Sequence, residues 1–174
     1  MNCRFCKTRL KHLFVSLGSS PLSNSYLTEE QLHKMEPFYH LDIYVCKNCF
    51  LVQLDEFESP ENIFSEYAYF SSYSDTWLKH AKDYADKMTE RFGFNTHSFI
   101  IEIASNDGYL LQYFIEKGIP ILGIEPAVNV AETARQKGIP TETVFFGTET
   151  AKRLASEGKY ADLLIGNNVL AHVP

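Results

Sequence analysis

Four cysteines stand in two pairs of identical spacing, Cys3-x-x-Cys6 and Cys46-x-x-Cys49, and the chain has no others. A C-x-x-C turn sets two sulfurs on one side of a tight loop, and two such turns complete the tetrahedral thiolate set that zinc prefers. Four ligands close the shell, so the metal implied is a structural Zn2+ without an open position for catalysis. The segment between the pairs is about twice the ~15–20-residue spacer of short zinc ribbons and must hold an insertion. Arg4, Lys7, Arg9 and Lys11 crowd the first pair without an acid among them. Such charges offset the excess negative charge of four thiolates around one dication and favour thiolate over thiol. Neither pair opens a helix after a strand, as redox pairs do, and the six histidines do not pair at ligand spacings.

A second set of chemistry-bearing residues lies in the C-terminal half, in Glu102-Ile-Ala104-Ser105-Asn106-Asp107-Gly108, in Gly123-Ile-Glu125-Pro126, and in Asn167-Asn168. A dinucleotide site wants three glycines in the first of these, because backbone must approach a pyrophosphate; only Gly108 is there. Asp107 would also oppose a pyrophosphate, whereas the ammonium and sulfonium of S-adenosylmethionine would not be repelled. Glu125 follows at close to the ~20-residue spacing from which an acid accepts both ribose hydroxyls of either cofactor.

The elements that must position these residues fall into two regimes. Residues 40–54, HLDIYVCKNCFLVQL, alternate as two short strands around the second knuckle. From Leu17 to Pro37 the Gly, Pro and Ser content reads as loop, with a short helix over Thr28–Met35. From Ser74 apolar residues repeat at three and four up to a stop at Gly93. Thereafter SFIIEI, IPILGIE, ETVFF and ADLLIG alternate with helical stretches at Tyr109–Lys117, Val128–Lys137 and Thr148–Ser156, the form of βαβ units on a parallel sheet. Most of the acidic excess lies beyond Pro60. The expected division is a zinc-binding domain at 1–60, a helical connector at 61–97 and an α/β domain at 98–174.

At 174 residues, 45% hydrophobic and 14% aromatic, the chain can bury a core. A net charge of −6 lacks the electrostatic footprint of a nucleic-acid binder. No run approaches the ~18 apolar residues that span a bilayer, and the polar, basic opening is unlike a signal peptide. The expectation is a soluble, cytoplasmic protein with reduced thiols.

EIASNDGYLL, GIEPA and NNVLAHV, behind paired C-x-x-C knuckles, resemble the zinc-containing sugar C-methyltransferases. The likeness covers essentially the whole chain, although Ala104 and Asn106 stand where the general D/E-x-G-x-G-x-G pattern has glycine. The resemblance implies an α/β fold in which a zinc-ribbon-like domain precedes a partial Rossmann-like sheet of the class I methyltransferase kind. It implies S-adenosylmethionine held by Glu102, Ala104, Ser105, Asn106, Gly108, Glu125, Pro126 and Asn167, and a nucleotide-linked keto-deoxysugar as acceptor. In that chemistry a base removes a proton beside the ketone, and the enolate attacks the sulfonium methyl. Tyr69 and Tyr73, in the segment that joins the two lobes, and His172 are the catalytic candidates within this chain. The family has further strands and a C-terminal domain after NNVLAHV, so the chain is expected to be its N-terminal portion, with an open sheet edge prone to self-association. The alternatives are a non-enzymatic zinc-ribbon module that binds a partner through a degenerate α/β lobe, and a nicotinamide oxidoreductase.

Overall fold

The computed structural model describes residues 1–170 of the 174. They form two compact units, one from Met1 to Ile63 and one from Phe64 onward.

The first unit is an antiparallel sheet of β1 (His12–Ser20), β2 (Tyr39–Val45) and β3 (Val52–Leu54), in that order. β2 and β3 are the two strands expected around the second knuckle, paired from Ile43 with Leu54 to Val45 with Val52. β1 departs from expectation by running through Leu17 to Ser20. Its register against β2 slips between Leu13 and Val15 and again between Ser16 and Ser19. Gly18, at φ 81°, supplies the left-handed residue within the second slip. Each slip breaks the two-residue alternation that marks a strand in sequence. Thr28–Met35 contracts to a 3-10 turn at Glu29–His33, where the Gln31 side chain accepts the Thr28 N–H at 2.8 Å. Cys3, Leu10 and Cys46 are the buried centre of the unit, with Tyr44 and Leu51 packed on them. So small a core needs a metal to hold it.

After the short helix α1 (Pro60–Phe64), the second unit opens with α2 (Asp75–Phe92). Ser74 caps α2 by accepting the Trp77 N–H at 3.3 Å, and Gly93 ends it in the left-handed region at φ 68°. Then follow β4 (Ile100–Ile103), α3 (Gln112–Ile115), β5 (Ile121–Ile124), α4 (Val128–Gln136), β6 (Thr141–Glu142), α5 (Thr148–Ser156) and β7 (Leu163–Ile165). All four strands are parallel, in the order β6-β5-β4-β7. On one face Ile100, Ile121 and Ile165 pack with Ala81 and Ala85 of α2, Phe114 of α3 and Ala134 of α4. Ile101, Leu122 and Ile124 pack with Leu154 of α5 in a separate cluster. Helices on both faces make the sheet doubly wound, and its order reverses between β4 and β7. In such sheets ligands bind beyond the carboxyl ends of the strands at that reversal.

Two elements are shorter than the sequence suggests. Regular α3 covers only four residues, because bonds of the i+3 kind, such as Phe114 N–H to the Leu111 carbonyl at 3.1 Å, tighten the turns on either side. β6 is Thr141–Glu142 and keeps only Glu142 of its expected run, since Val144 and Phe146 leave the ladder and pack on the cluster around Leu154. Among the described residues β7 pairs only with β4, and its Leu164 is half exposed. No helix among them is long and apolar enough to cross a membrane.

Candidate functional site

The two knuckles are copies of one turn. The Lys7 N–H donates to the Cys3 carbonyl at 2.9 Å and the Phe50 N–H to the Cys46 carbonyl at 2.9 Å, with Lys7 and Phe50 both at φ 60°. The first residue of each pair is tied down too, Cys3 N–H to the Thr8 carbonyl at 2.8 Å and Cys46 N–H to the Leu51 carbonyl at 3.0 Å. The four Sγ atoms lie within 4.8 Å of one another, with Cys3 to Cys49 and Cys6 to Cys46 at 3.5 Å. Zinc with sulfurs at about 2.3 Å would space them at about 3.8 Å, so this cluster fits that ion with little adjustment. Hydrogen bonds from Thr8 and Asn48 hold the Cys6 thiol at about 5. Cys49 has the Leu51 N–H to lower it, yet burial and the three neighbouring sulfurs push it up to about 12. Four thiolates this close need a cation, which zinc supplies.

Gln53 was not foreseen. Buried in β3, it donates Nε2 to Cys3 Sγ at 3.3 Å and accepts the Arg4 N–H at 2.9 Å, a support for a ligand of the kind metal sites require. Its signal in sequence was a polar residue between the apolar Val52 and Leu54 of a half-buried strand. Arg4 does not lie against the sulfurs as a counter-charge; its guanidinium donates to the Leu54 carbonyl at 2.9 Å.

At the carboxyl end of β4 the chain makes three left-handed steps, Ala104 at φ 53°, Asn106 at φ 50° and Gly108 at φ 77°. These are the positions of the three glycines in the general pattern, so the turn is built in full with two residues that adopt it less readily. Its fit is close on both sides. A Cβ on Gly108 would meet Ile139 Cδ1 at 2.2 Å, and one on Gly123 of β5 would meet Ser105 Oγ at 2.4 Å. Glu125, at the end of β5, accepts the Asn106 N–H and the Ala127 N–H, each at 2.9 Å. Burial pushes its carboxyl up, opposed by those two N–H groups. Half-buried Pro126 lies between Glu125 and the start of α4.

Glu102 is fully buried, and neither of its oxygens nor Ser105 Oγ has a hydrogen-bond partner among the described residues. Burial pushes the Glu102 carboxyl well above the carboxylate range; the Tyr109 phenol opposes this, and the charges of Glu125 and Asp107 add to it. Tyr109 is the second unforeseen residue. It accepts from Asn167 Nδ2 at 3.1 Å and stacks on Trp77 at 5.9 Å between ring centroids, joining the end of β4 to the loop after β7 across the reversal. Buried acceptors left without donors at a strand end are what a polar, cationic ligand group would satisfy.

Asp107 corrects one expectation. Its carboxylate does not face an open phosphate position; it accepts the Ser72 N–H at 3.3 Å and pairs with Lys137 Nζ at 3.0 Å. Its charge is met inside the protein and no longer argues against a pyrophosphate.

The catalytic candidates sit on a segment bound by side chains. Asn129 accepts the Tyr67 N–H at 3.0 Å and donates to the Tyr67 carbonyl at 2.7 Å. Asn106 accepts the Ser71 N–H at 2.8 Å and donates to the Tyr69 carbonyl at 3.0 Å. Tyr69 is half exposed and Tyr73 90% exposed, so both phenols are open to solvent rather than packed as core. His172 lies outside the described residues.

Residues 3–64 match a family described as "Putative zinc binding domain" (Methyltransf_13). With that match, the four-sulfur cluster is a zinc-binding site. The chain is 31% identical over 172 residues to the C-methyltransferase NovU of Streptomyces niveus. That alignment takes in 99% of this chain and 41% of NovU, so the chain spans about two fifths of the length of the curated relative it matches. Among solved structures, DesVI of Streptomyces venezuelae overlaps 55% of this chain and 31% of its own at 21% identity and a TM-score of 0.30. The MccD protein overlaps 46% of this chain and 30% of its own, at 17% identity and a TM-score of 0.28. Overlaps this slight carry nothing about function. The alignment with NovU runs through both units, so it takes in the turn at residues 102–108 as well as the knuckles.

Proposed function

We propose that this chain, which resembles the N-terminal part of the zinc-containing C-methyltransferases, is the zinc-binding and cofactor-binding portion of an S-adenosylmethionine-dependent enzyme that methylates a ring carbon of a nucleotide-linked keto-deoxysugar. The observation that carries the cofactor assignment is the turn at residues 102–108. It has the three left-handed steps of the glycine-rich pattern, is tied to Glu125, and ends a strand at the sheet reversal.

The residues present fit that cofactor. Glu125 is the acid for the ribose hydroxyls, and one carboxylate can keep its backbone donors while accepting more. Ala104, Ser105, Asn106 and Gly108 bring backbone close, with Pro126 and Asn167 at the rims. The buried Glu102 carboxyl, which burial favours in its protonated form, offers an acceptor oxygen to the ammonium end. When bound, the cofactor supplies an electrophilic methyl group.

The chain's own work is orientation and charge stabilisation. Tyr69, with Tyr73 as the second candidate, would donate its phenol to the acceptor's carbonyl oxygen and so favour the enolate. His172 would take the proton from the adjacent carbon. The zinc stays structural, since four sulfurs leave no open position. The outer edge of β7, unpaired among the described residues, would accept a further strand or a second copy.

Titration calorimetry with S-adenosylhomocysteine and with NAD tests the cofactor. The expected result is binding of the former and weaker or no binding of the latter; tighter NAD binding would replace this reading with an oxidoreductase. Label transfer from methyl-labelled cofactor to a nucleotide-linked 4-keto-6-deoxysugar tests the acceptor.

A further inference from the structure

The segment from Tyr67 to Ser72 is irregular chain that enters a 3-10 turn at Ser71–Tyr73, with few backbone partners of its own. It is gripped instead by side chains, and those side chains come from the two loops that follow β4 and β5. Asn129, in the first turn of α4, uses its oxygen and its nitrogen on the N–H and carbonyl of Tyr67. Asn106, in the turn after β4, does the same with the N–H of Ser71 and the carbonyl of Tyr69. A primary amide presents one acceptor and one donor side by side, as an adjacent strand does, so each asparagine substitutes for a missing strand partner. Asp107 accepts the Ser72 N–H, and Lys137 closes the end by donating to Ser72 Oγ at 2.9 Å and to Asp107 Oδ2 at 3.0 Å. Tyr69 lies between the two grips with its ring half exposed, so its place is that of the segment.

We infer that Asn106, Asp107 and Asn129 are positioning residues that hang the tyrosine segment from the two cofactor loops, so that the state of those loops sets where Tyr69 stands. The inference rests on the reading of these loops as the S-adenosylmethionine site. Asn106 is the junction. Its backbone N–H binds Glu125 and its side chain binds the segment, so any shift of that peptide when a ribose arrives at Glu125 is passed to Ser71 and Tyr69. A segment held by a few such bonds opens locally at small cost, which makes it responsive to its neighbours.

Amide hydrogen exchange on the full chain tests this, with and without saturating S-adenosylhomocysteine, and with calorimetry on the same samples. Without ligand, Asn129→Ala is expected to speed exchange at residues 67–72 about tenfold, the equivalent of about one net hydrogen bond, while α2 exchanges as in wild type. Asn129→Asp keeps the acceptor for the Tyr67 N–H and is expected to restore most of the protection at that amide. In wild type the ligand is expected to slow exchange both in the 104–108 turn and at 67–72. Exchange at 67–72 within twofold of wild type in Asn129→Ala, or ligand protection of the turn that leaves 67–72 unchanged, would overturn the inference. Absence of calorimetric binding would overturn the cofactor reading and the coupling with it, and the ligand-free arm would still report whether Asn129 holds the segment.

Discussion

The backbone N–H of Asn106 donates to the carboxylate of Glu125 at 2.9 Å, which ties the turn after β4 to the end of β5. Glu125 therefore does two things. It helps to hold the left-handed turn in place through the Asn106 N–H, and in the proposed function it is also the acid for the ribose hydroxyls. A preformed turn spends less binding free energy on ordering.

Replacement of Glu125 by Ala is accordingly expected to weaken S-adenosylhomocysteine by ten- to hundredfold in calorimetry, the loss of a charge-assisted hydrogen bond worth about 1.5–3 kcal/mol. Glu125→Gln, which keeps an acceptor oxygen for a backbone donor, should lose less.

One zinc per chain is expected by elemental analysis, in line with four sulfurs that close the shell. Cys46→Ser, or a strong chelator, should abolish amide protection along β1 and β2, because the buried centre of that unit consists largely of the cysteines themselves. Unchanged protection in metal-free protein would contradict the site.

The buried Glu102 carboxyl makes stability depend on pH in a definite direction. Its folded value is raised, first by burial and then by the Glu125 and Asp107 charges against the opposing Tyr109 phenol. The folded form thus holds the proton more tightly than the unfolded chain, and stability is lost as pH rises from about 4.3 toward the folded value. Glu102→Gln removes this dependence. The difference in urea midpoint between variant and wild type should move in favour of the variant from about pH 5 to about pH 8, and a constant difference would contradict the assignment.

The left-handed steps allow a paired test. Ala104→Gly should raise stability by about 0.5–1 kcal/mol, since glycine takes φ 53° without Cβ strain. Asn106→Gly relieves similar strain yet removes two side-chain hydrogen bonds, and should be less stable than wild type in the same denaturant series.

Local patterns in the sequence carry much of this architecture. The knuckles, α2 with its Ser74 and Gly93 ends, the strand and helix succession and the turn at 102–108 all have signatures within a few residues. β1 escapes because two register slips erase its alternation. The grips of Asn106 and Asn129 escape for another reason. They join positions 35 and 62 residues apart through one side chain each, and nothing near either residue marks the contact. The role of Asp107 escapes likewise, since its cation, Lys137, arrives from the far end of α4.

The twin knuckles also set an order of events during synthesis. At about 5–20 residues per second, the turn that carries Cys46 is made some 2–8 s after the one that carries Cys3. Through that interval the first turn holds only two sulfurs, too few to retain a metal against cellular thiols. Zinc capture must therefore wait for the second turn, and a ribosome paused between them would leave Cys3 and Cys6 exposed to oxidation.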